Sequence, residues 1–338
     1  MINYIAMPLV RRGNHTEFVT ETRTLPPPET DEVTLRIRAC GVCGSDVARW
    51  RGEAYQYPLV IGHEFSGEVV YDPQGLLTGK RVVAFPLIPC GSCTQCAQER
   101  YAMCEAYDYY GSRRDGAFAA YLNIKRKNLL EIPQNVSFAA AAMCEPTAVA
   151  LNAIQKSPDL FGKTVAIYGA GTIGLLLIKL AKIFGAKRIF VSEPEAGKRA
   201  FAESCGAEIL PEQDLADVYF DACGRSEVLL DMLKRAKPLS YLILLGNPSG
   251  NLAVPKDLYW RILRGELTLK GTWNSRFSYK GSRNDWECVL GLMRDGTLTV
   301  EELITHRFPI TQAEEALRTM TDQKCFSIKV MLTNEGES

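Results

Sequence analysis

The sequence predicts an α/β fold whose later half is a doubly wound parallel sheet, and three observations carry that prediction. Apolar, strand-like runs recur at Val165 to Tyr168, Ile189 to Ser192, Val218 to Asp221, Tyr241 to Leu245 and Leu267 to Lys270, with helical stretches between most of them. That alternation builds βαβ units. The first run opens into Gly169-x-Gly171-x-x-Gly174 and then an apolar segment of helical length ending at Phe184, which reads as strand, tight turn and helix. Ahead of this region, residues 31 to 39 alternate polar and apolar with period two, the mark of a half-buried strand.

At 338 residues the chain is long enough for two domains. It carries 39 basic and 39 acidic residues and no long basic run, so nothing points to nucleic acid or an anionic membrane as partner. Small molecules are the expected ligands. Met1 to Val10 has no basic head before a long apolar core, and Leu175 to Phe184 is interrupted by Lys179 and Lys182. Neither a signal peptide nor a membrane span is expected, and the reading is a soluble, cytoplasmic protein.

The early strand delivers Cys40-Gly-Val-Cys43-Gly-Ser45-Asp46. Twenty residues after Cys43 comes Gly62-His63-Glu64, in a chain with three histidines, and later Met143-Cys144-Glu145-Pro146 precedes a helical stretch. A thiolate, an imidazole and a carboxylate from separate segments form the ligand set of a catalytic zinc with one position left for water or substrate. By spacing alone, Cys40, Cys144 and Glu64 compete for these roles with Cys43 and Glu145.

Four of the eleven cysteines fall within fifteen residues, as Cys90-x-x-Cys93-x-x-Cys96 followed by Cys104. Four soft ligands on one loop suit a closed tetrahedral zinc, a structural site that pins a lobe poor in regular structure. An iron–sulfur cluster is the alternative occupant. Cys40, Cys144, Cys205, Cys223, Cys288 and Cys325 read as reduced thiols in apolar settings. Beyond the lobe, Arg113 and Arg114 follow a polar turn, and a guanidinium fork matches phosphate oxygens. Lys125-Arg126-Lys127 reads as surface.

In the glycine-rich turn, Gly169 allows the bend, Gly171 lets backbone approach a pyrophosphate, and Gly174 lets helix pack on strand, with Thr172 and Ile173 opening the helix towards the anion. Glu193 ends the second strand nineteen residues past Gly174, where a carboxylate accepts from ribose hydroxyls and repels a 2′-phosphate. This Rossmann pattern predicts NAD rather than NADP, with Lys198 and Arg199 close by as the features that oppose that choice. Glu208 to Ala216 is short and acidic, so one crossover is expected to be abbreviated. Trp286 to Met293 and Ala313 to Met320 read as helices, and a last strand, Ser327 to Leu332, is expected to return to the first domain.

With these motifs, and the terminal Lys329-Val, the chain resembles the zinc-containing medium-chain dehydrogenase/reductase family of the alcohol and sorbitol dehydrogenase type. The resemblance implies a GroES-like, β-rich catalytic domain from residues 1–148 and 277–338 around a Rossmann NAD-binding domain at 149–276. It implies that Cys43, His63 and Glu145 hold a catalytic zinc and Cys90, Cys93, Cys96 and Cys104 a structural one. Glu64 becomes an alternative ligand or supporting group, Ser45 the partner of the substrate hydroxyl, and Asp46 the orienter of His63. A homodimer or homotetramer is the family habit. Within the family, Pro86 to Cys90, Tyr110 to Gly116, Lys125 to Asn128 and Ile262 to Thr268 leading to Trp273 resemble polyol-phosphate dehydrogenases. This implies oxidation of a secondary alcohol to the ketose phosphate, with Arg113, Arg114 and Trp273 as substrate contacts. Where many members carry a relay histidine, this chain has Ala48.

Overall fold

A computed structural model describes residues 2–212, 215–281 and 284–334. The chain divides into two compact units, Met1–Glu145 with Arg276–Ser338, and Pro146–Ser275.

The first unit is built on a seven-stranded sheet whose central strand is Glu32–Gly41. This strand pairs antiparallel with Glu64–Tyr71, Tyr121–Lys125 and Lys329–Thr333. Val33, Leu35 and Ile37 enter the core, but the polar side is covered as well: Thr34 is 2% exposed and its hydroxyl donates to Asn123 Oδ1 at 2.8 Å. The half-buried strand expected from the alternation is therefore covered on both faces, because Thr34 finds its partner inside the protein.

Register sets the functional geometry. Gly41 lies opposite Glu64 on one side and Met331 on the other. Just beyond that position Cys43 leaves the sheet where His63 enters it, with Lys329 alongside. The last strand thus joins the first unit's sheet, and it runs parallel to Ile304–Pro309. In the run Lys125-Arg126-Lys127 the surface reading holds for the exposed Lys127 and fails for its two neighbours, which are only partly exposed. Lys125, its side chain 16% exposed, pairs with Glu29, Asp31 and Glu32, and Arg126 Nη1 sits 2.5 Å from the buried Asp72.

In the second unit six strands are all parallel. Their order is Glu208–Ile209, Arg188–Ser192, Thr164–Tyr168, Val218–Asp221, Tyr241–Leu244 and Thr268–Gly271. The order reverses between Thr164–Tyr168 and Val218–Asp221, the switch point where such sheets bind ligands beyond the strand C-termini. The helix Thr172–Ile183 follows the glycine turn, with Leu175, Leu176, Leu177 and Ile178 all buried, so it lies deep in the unit's core. No helix falls within 210–217 among the described residues, and Gln213 and Asp214 of the acidic segment lie outside them. Among the described residues no helix is long and apolar enough to cross a membrane.

Candidate active site

Three ligating atoms, from Cys43, His63 and Glu64, lie within 4.8 Å of one another. Cys43 caps the short helix Gly44–Ala48 with an extended backbone, and its N–H donates to Asp46 Oδ2 at 3.0 Å. Gly62, just before His63, has φ +95°, and a Cβ there would meet Phe118 Cδ1 at 2.3 Å. Only glycine fits that bend. Asp46 Oδ1 lies 3.4 Å from His63 Nδ1, close enough for ion pairing, yet Nδ1 makes no hydrogen bond. Asp46 thus stands on the Nδ1 side and leaves Nε2 for a metal, the usual outer support of a ligating imidazole. Burial opposes charge on both partners, but their attraction outweighs it: His63 is raised well above the ordinary imidazole value and Asp46 is lowered. A metal binding at Nε2 must displace that proton.

Glu145 stands beside this trio rather than in it. Its carboxylate accepts from the Tyr109 hydroxyl at 3.3 Å, and burial pushes it up to about 7, with His63 opposing and Glu64 adding to the shift. Glu64 is held by a buried ion pair: Lys329 Nζ donates to Glu64 Oε2 at 2.6 Å and to Val42 O at 3.0 Å. Cys40 and Cys144, the competing thiols, are fully buried and donate to the carbonyls of Gly41 and Trp286. Burial raises both thiols well above the ordinary range, so they stay protonated. Ser45 Oγ accepts from Arg49 Nη1 at 2.9 Å, and the same nitrogen lies 3.3 Å from Asp46 Oδ1. Arg49 and Tyr109 stand outside the motifs legible in the sequence. The spacing of four between Ser45 and Arg49 was the available signal for one; none existed for Tyr109.

The four clustered cysteines also converge within 4.8 Å. Sulfur separations are 3.8 Å for Cys90–Cys96, 3.5 Å for Cys93–Cys96 and 3.9 Å for Cys93–Cys104. A tetrahedral zinc with Zn–S bonds of ~2.3 Å has edges of ~3.8 Å, whereas a disulfide needs ~2.05 Å. The residues fit a metal. Hydrogen bonds from Ser92 lower the Cys90 thiol to about 6, while burial pushes Cys96 up to about 12.

In the second unit, Gly169 has φ +96°, and a Cβ on Gly174 would lie 1.8 Å from Gly169 O. A Cβ on Gly171 would meet nothing within 4 Å, so the fold itself does not demand glycine there. Thr172 and Ile173 open the helix behind Gly171. Both oxygens of Glu193 accept backbone N–H groups, from Ala170 at 2.8 Å and Glu195 at 3.0 Å. Lys198 pairs with Glu195 at 2.7 Å, and Arg199 donates to Glu193 O at 2.8 Å.

The two arginines separate. Arg114 is committed to Asp108 Oδ2 at 2.6 Å. The Arg113 guanidinium lies 3.8 Å from the Tyr107 ring centroid and 5.4 Å from that of Tyr55, with one nitrogen on Tyr107 O. Tyr107 meets Tyr109 at 6.2 Å and Tyr109 meets His63 at 5.8 Å between ring centroids, a row of rings from Arg113 to the metal residues. Trp273 is 58% exposed on the second unit.

A model of the alcohol dehydrogenase GroES-like domain matches residues 29–134. The chain is 34% identical over 327 residues to galactitol 1-phosphate 5-dehydrogenase of Escherichia coli (strain K12), covering 90% of this chain and 94% of that one. A putative zinc-binding dehydrogenase from Sinorhizobium meliloti 1021, solved bound to NADP, has the same fold with TM-score 0.89 and 27% identity over 98% of this chain and 100% of its own. The crystal structure of galactitol-1-phosphate dehydrogenase from Escherichia coli gives TM-score 0.88 and 30% identity over the same shares, 98% and 100%. With both metal-type clusters, the glycine turn and relatives matching nearly its full length, the chain belongs to the zinc-dependent medium-chain dehydrogenase family.

Proposed function

We propose that the protein oxidises a secondary alcohol of a polyol phosphate to the ketose phosphate with NAD, as the name of its galactitol 1-phosphate relative describes for that enzyme. The observation that carries the substrate class is Arg113. It is stacked on Tyr107, at the far end of the rings leading to His63, and its remaining guanidinium donors have no protein partner among the described residues. Such a fork suits a phosphate.

Cys43, His63 and one of Glu64 and Glu145 would hold a catalytic zinc, and Cys90, Cys93, Cys96 and Cys104 a structural one. When bound, the catalytic metal would supply Lewis acidity at the alcohol and NAD an acceptor for its hydride. Arg49 occupies one lone pair of Ser45 Oγ, leaving the other to accept the substrate hydroxyl's proton while the serine's own hydrogen passes to solvent water. Ala48, with only a methyl group, cannot relay it. Asp46 holds the Cys43 amide by a hydrogen bond and faces the His63 ring with its charge, so the ligands are oriented before substrate arrives. The Glu193 carboxylate favours NAD over NADP, and the reduced thiols suit a cytoplasmic enzyme.

The test is initial-rate NAD⁺ reduction on galactitol, arabinitol and sorbitol paired with their monophosphates. A phosphorylated member is expected to win, and Arg113→Ala is expected to cut its kcat/KM about 10- to 100-fold, the worth of a hydrogen bond to a charged group, while Arg114→Ala leaves the ratio of substrates unchanged. A free polyol is the second reading, favoured by the Arg114–Asp108 pair, which removes one of the two cations from phosphate duty. It prevails if unphosphorylated polyols turn over faster.

A further inference from the structure

Three residues of the first unit form a hydrogen-bonded row that neither the metal residues nor the glycine turn uses. Cys325 Sγ lies 3.6 Å from His306 Nε2, and His306 Nδ1 lies 3.0 Å from Thr305 Oγ1. The tautomer follows from the threonine. Its Oγ1 accepts the Ile328 N–H at 3.1 Å, and its hydroxyl donates to the Lys329 carbonyl at 3.3 Å. With that hydrogen committed, Oγ1 faces His306 as an acceptor. Nδ1 therefore carries the ring proton, and Nε2 presents its lone pair to the thiol. A base on a nucleophile, oriented by a third group, is the arrangement that activates a thiol.

The thiol is also accessible. Cys325 is partly exposed, in a turn closed by its N–H donating to Asp322 O at 3.0 Å. Gln323, Lys324 and Phe326 around it are exposed. Neither Cys325 nor the exposed Cys288 is enclosed in the buried apolar setting expected for it.

We propose that Cys325 is a thiol–disulfide exchange site for small-molecule disulfides, with His306 as its base and Thr305 as the orienting group. His306 Nε2 takes the thiol proton, and the Cys325 thiolate attacks one sulfur of the disulfide. A new S–S bond forms as the reagent's own S–S bond breaks. The released thiolate leaves with the proton returned by His306, so that Cys325 is oxidised to a mixed disulfide while half of the reagent is reduced to a thiol.

The test treats the zinc-loaded enzyme with bis(2-hydroxyethyl) disulfide and follows each modified cysteine by peptide mass spectrometry. Cys325 is expected to react at least tenfold faster than the exposed Cys288, the internal reference. His306→Asn is expected to slow Cys325 at least tenfold and leave Cys288 unchanged, and Thr305→Val to slow it severalfold. Equal rates at the two cysteines in the wild-type enzyme, or an undiminished Cys325 rate in a folded His306→Asn variant, overturn the proposal. Should either variant fail to fold by circular dichroism, the wild-type ratio decides alone.

Discussion

Asp46 serves three neighbours with one carboxylate: the Cys43 amide, the His63 ring and Arg49. Replacing Asp46 with Asn removes the charge that orients the imidazole, and zinc affinity is expected to fall 10- to 100-fold, read by competition with a chromogenic chelator. A second buried carboxylate, Asp72, tests electrostatics away from the site. Arg126 and the backbone amides of Gln74 and Leu77 hold it well below the usual carboxylate range. Its folded value lies below its unfolded one, so this stabilisation is fully present above the ordinary Asp range and is lost as pH falls through the folded value. Asp72→Asn is expected to cost ~3 kcal/mol at pH 7, the scale of breaking a buried pair. The gap from wild type should narrow in urea melts as the pH is lowered beneath 4 or so. A constant gap across pH would show that the pair is not ionised in the folded protein. At this scale the sequence revealed residue types but not their direction. Cys40 and Cys43 are equal candidates on paper, and only the register at Gly41 sends one into the core and the other to His63.

Elements were far more legible. The run Val218 to Asp221 is a strand with those bounds, and the helices expected at Trp286 to Met293 and Ala313 to Met320 extend by a residue at each end or one end, to Asp285–Arg294 and Ala313–Thr321. Apolar periodicity is strong in both. The strand Glu208–Ile209 escaped because two exposed residues carry no pattern. Two glycines of one turn are expected to respond oppositely to alanine. Gly174→Ala forces a Cβ into Gly169 O and should cost ~1–3 kcal/mol of stability, as overpacking does. Gly171→Ala meets open space, so its melt should stay within about 0.5 kcal/mol of wild type while NADH binding, followed by nicotinamide fluorescence, weakens. If both variants bound NADH normally, the turn would not be the pyrophosphate cradle.

At the scale of the whole molecule, balanced charge left association to apolar surface. The edge strand Thr268–Gly271 of the second unit's sheet is largely exposed, and the nearby helix Lys256–Arg264 exposes Tyr259, Trp260 and Leu263 at 55%, 50% and 50%. Unpaired edges and apolar patches of this kind invite a partner. A homodimer or homotetramer is the expected species in sedimentation velocity, and Trp260→Glu is expected to shift it to a smaller one; a wild-type monomer would remove this face from consideration. The first unit is also discontinuous, closed by residues that follow the second. On a translating ribosome, Cys43, His63 and Glu64 emerge before the second unit, and Lys329, the counter-charge of Glu64, emerges after it. Until then Glu64 lacks its Lys329 partner and Gly41 its neighbour Met331, so the metal residues reach their final setting only once synthesis has passed the last strand.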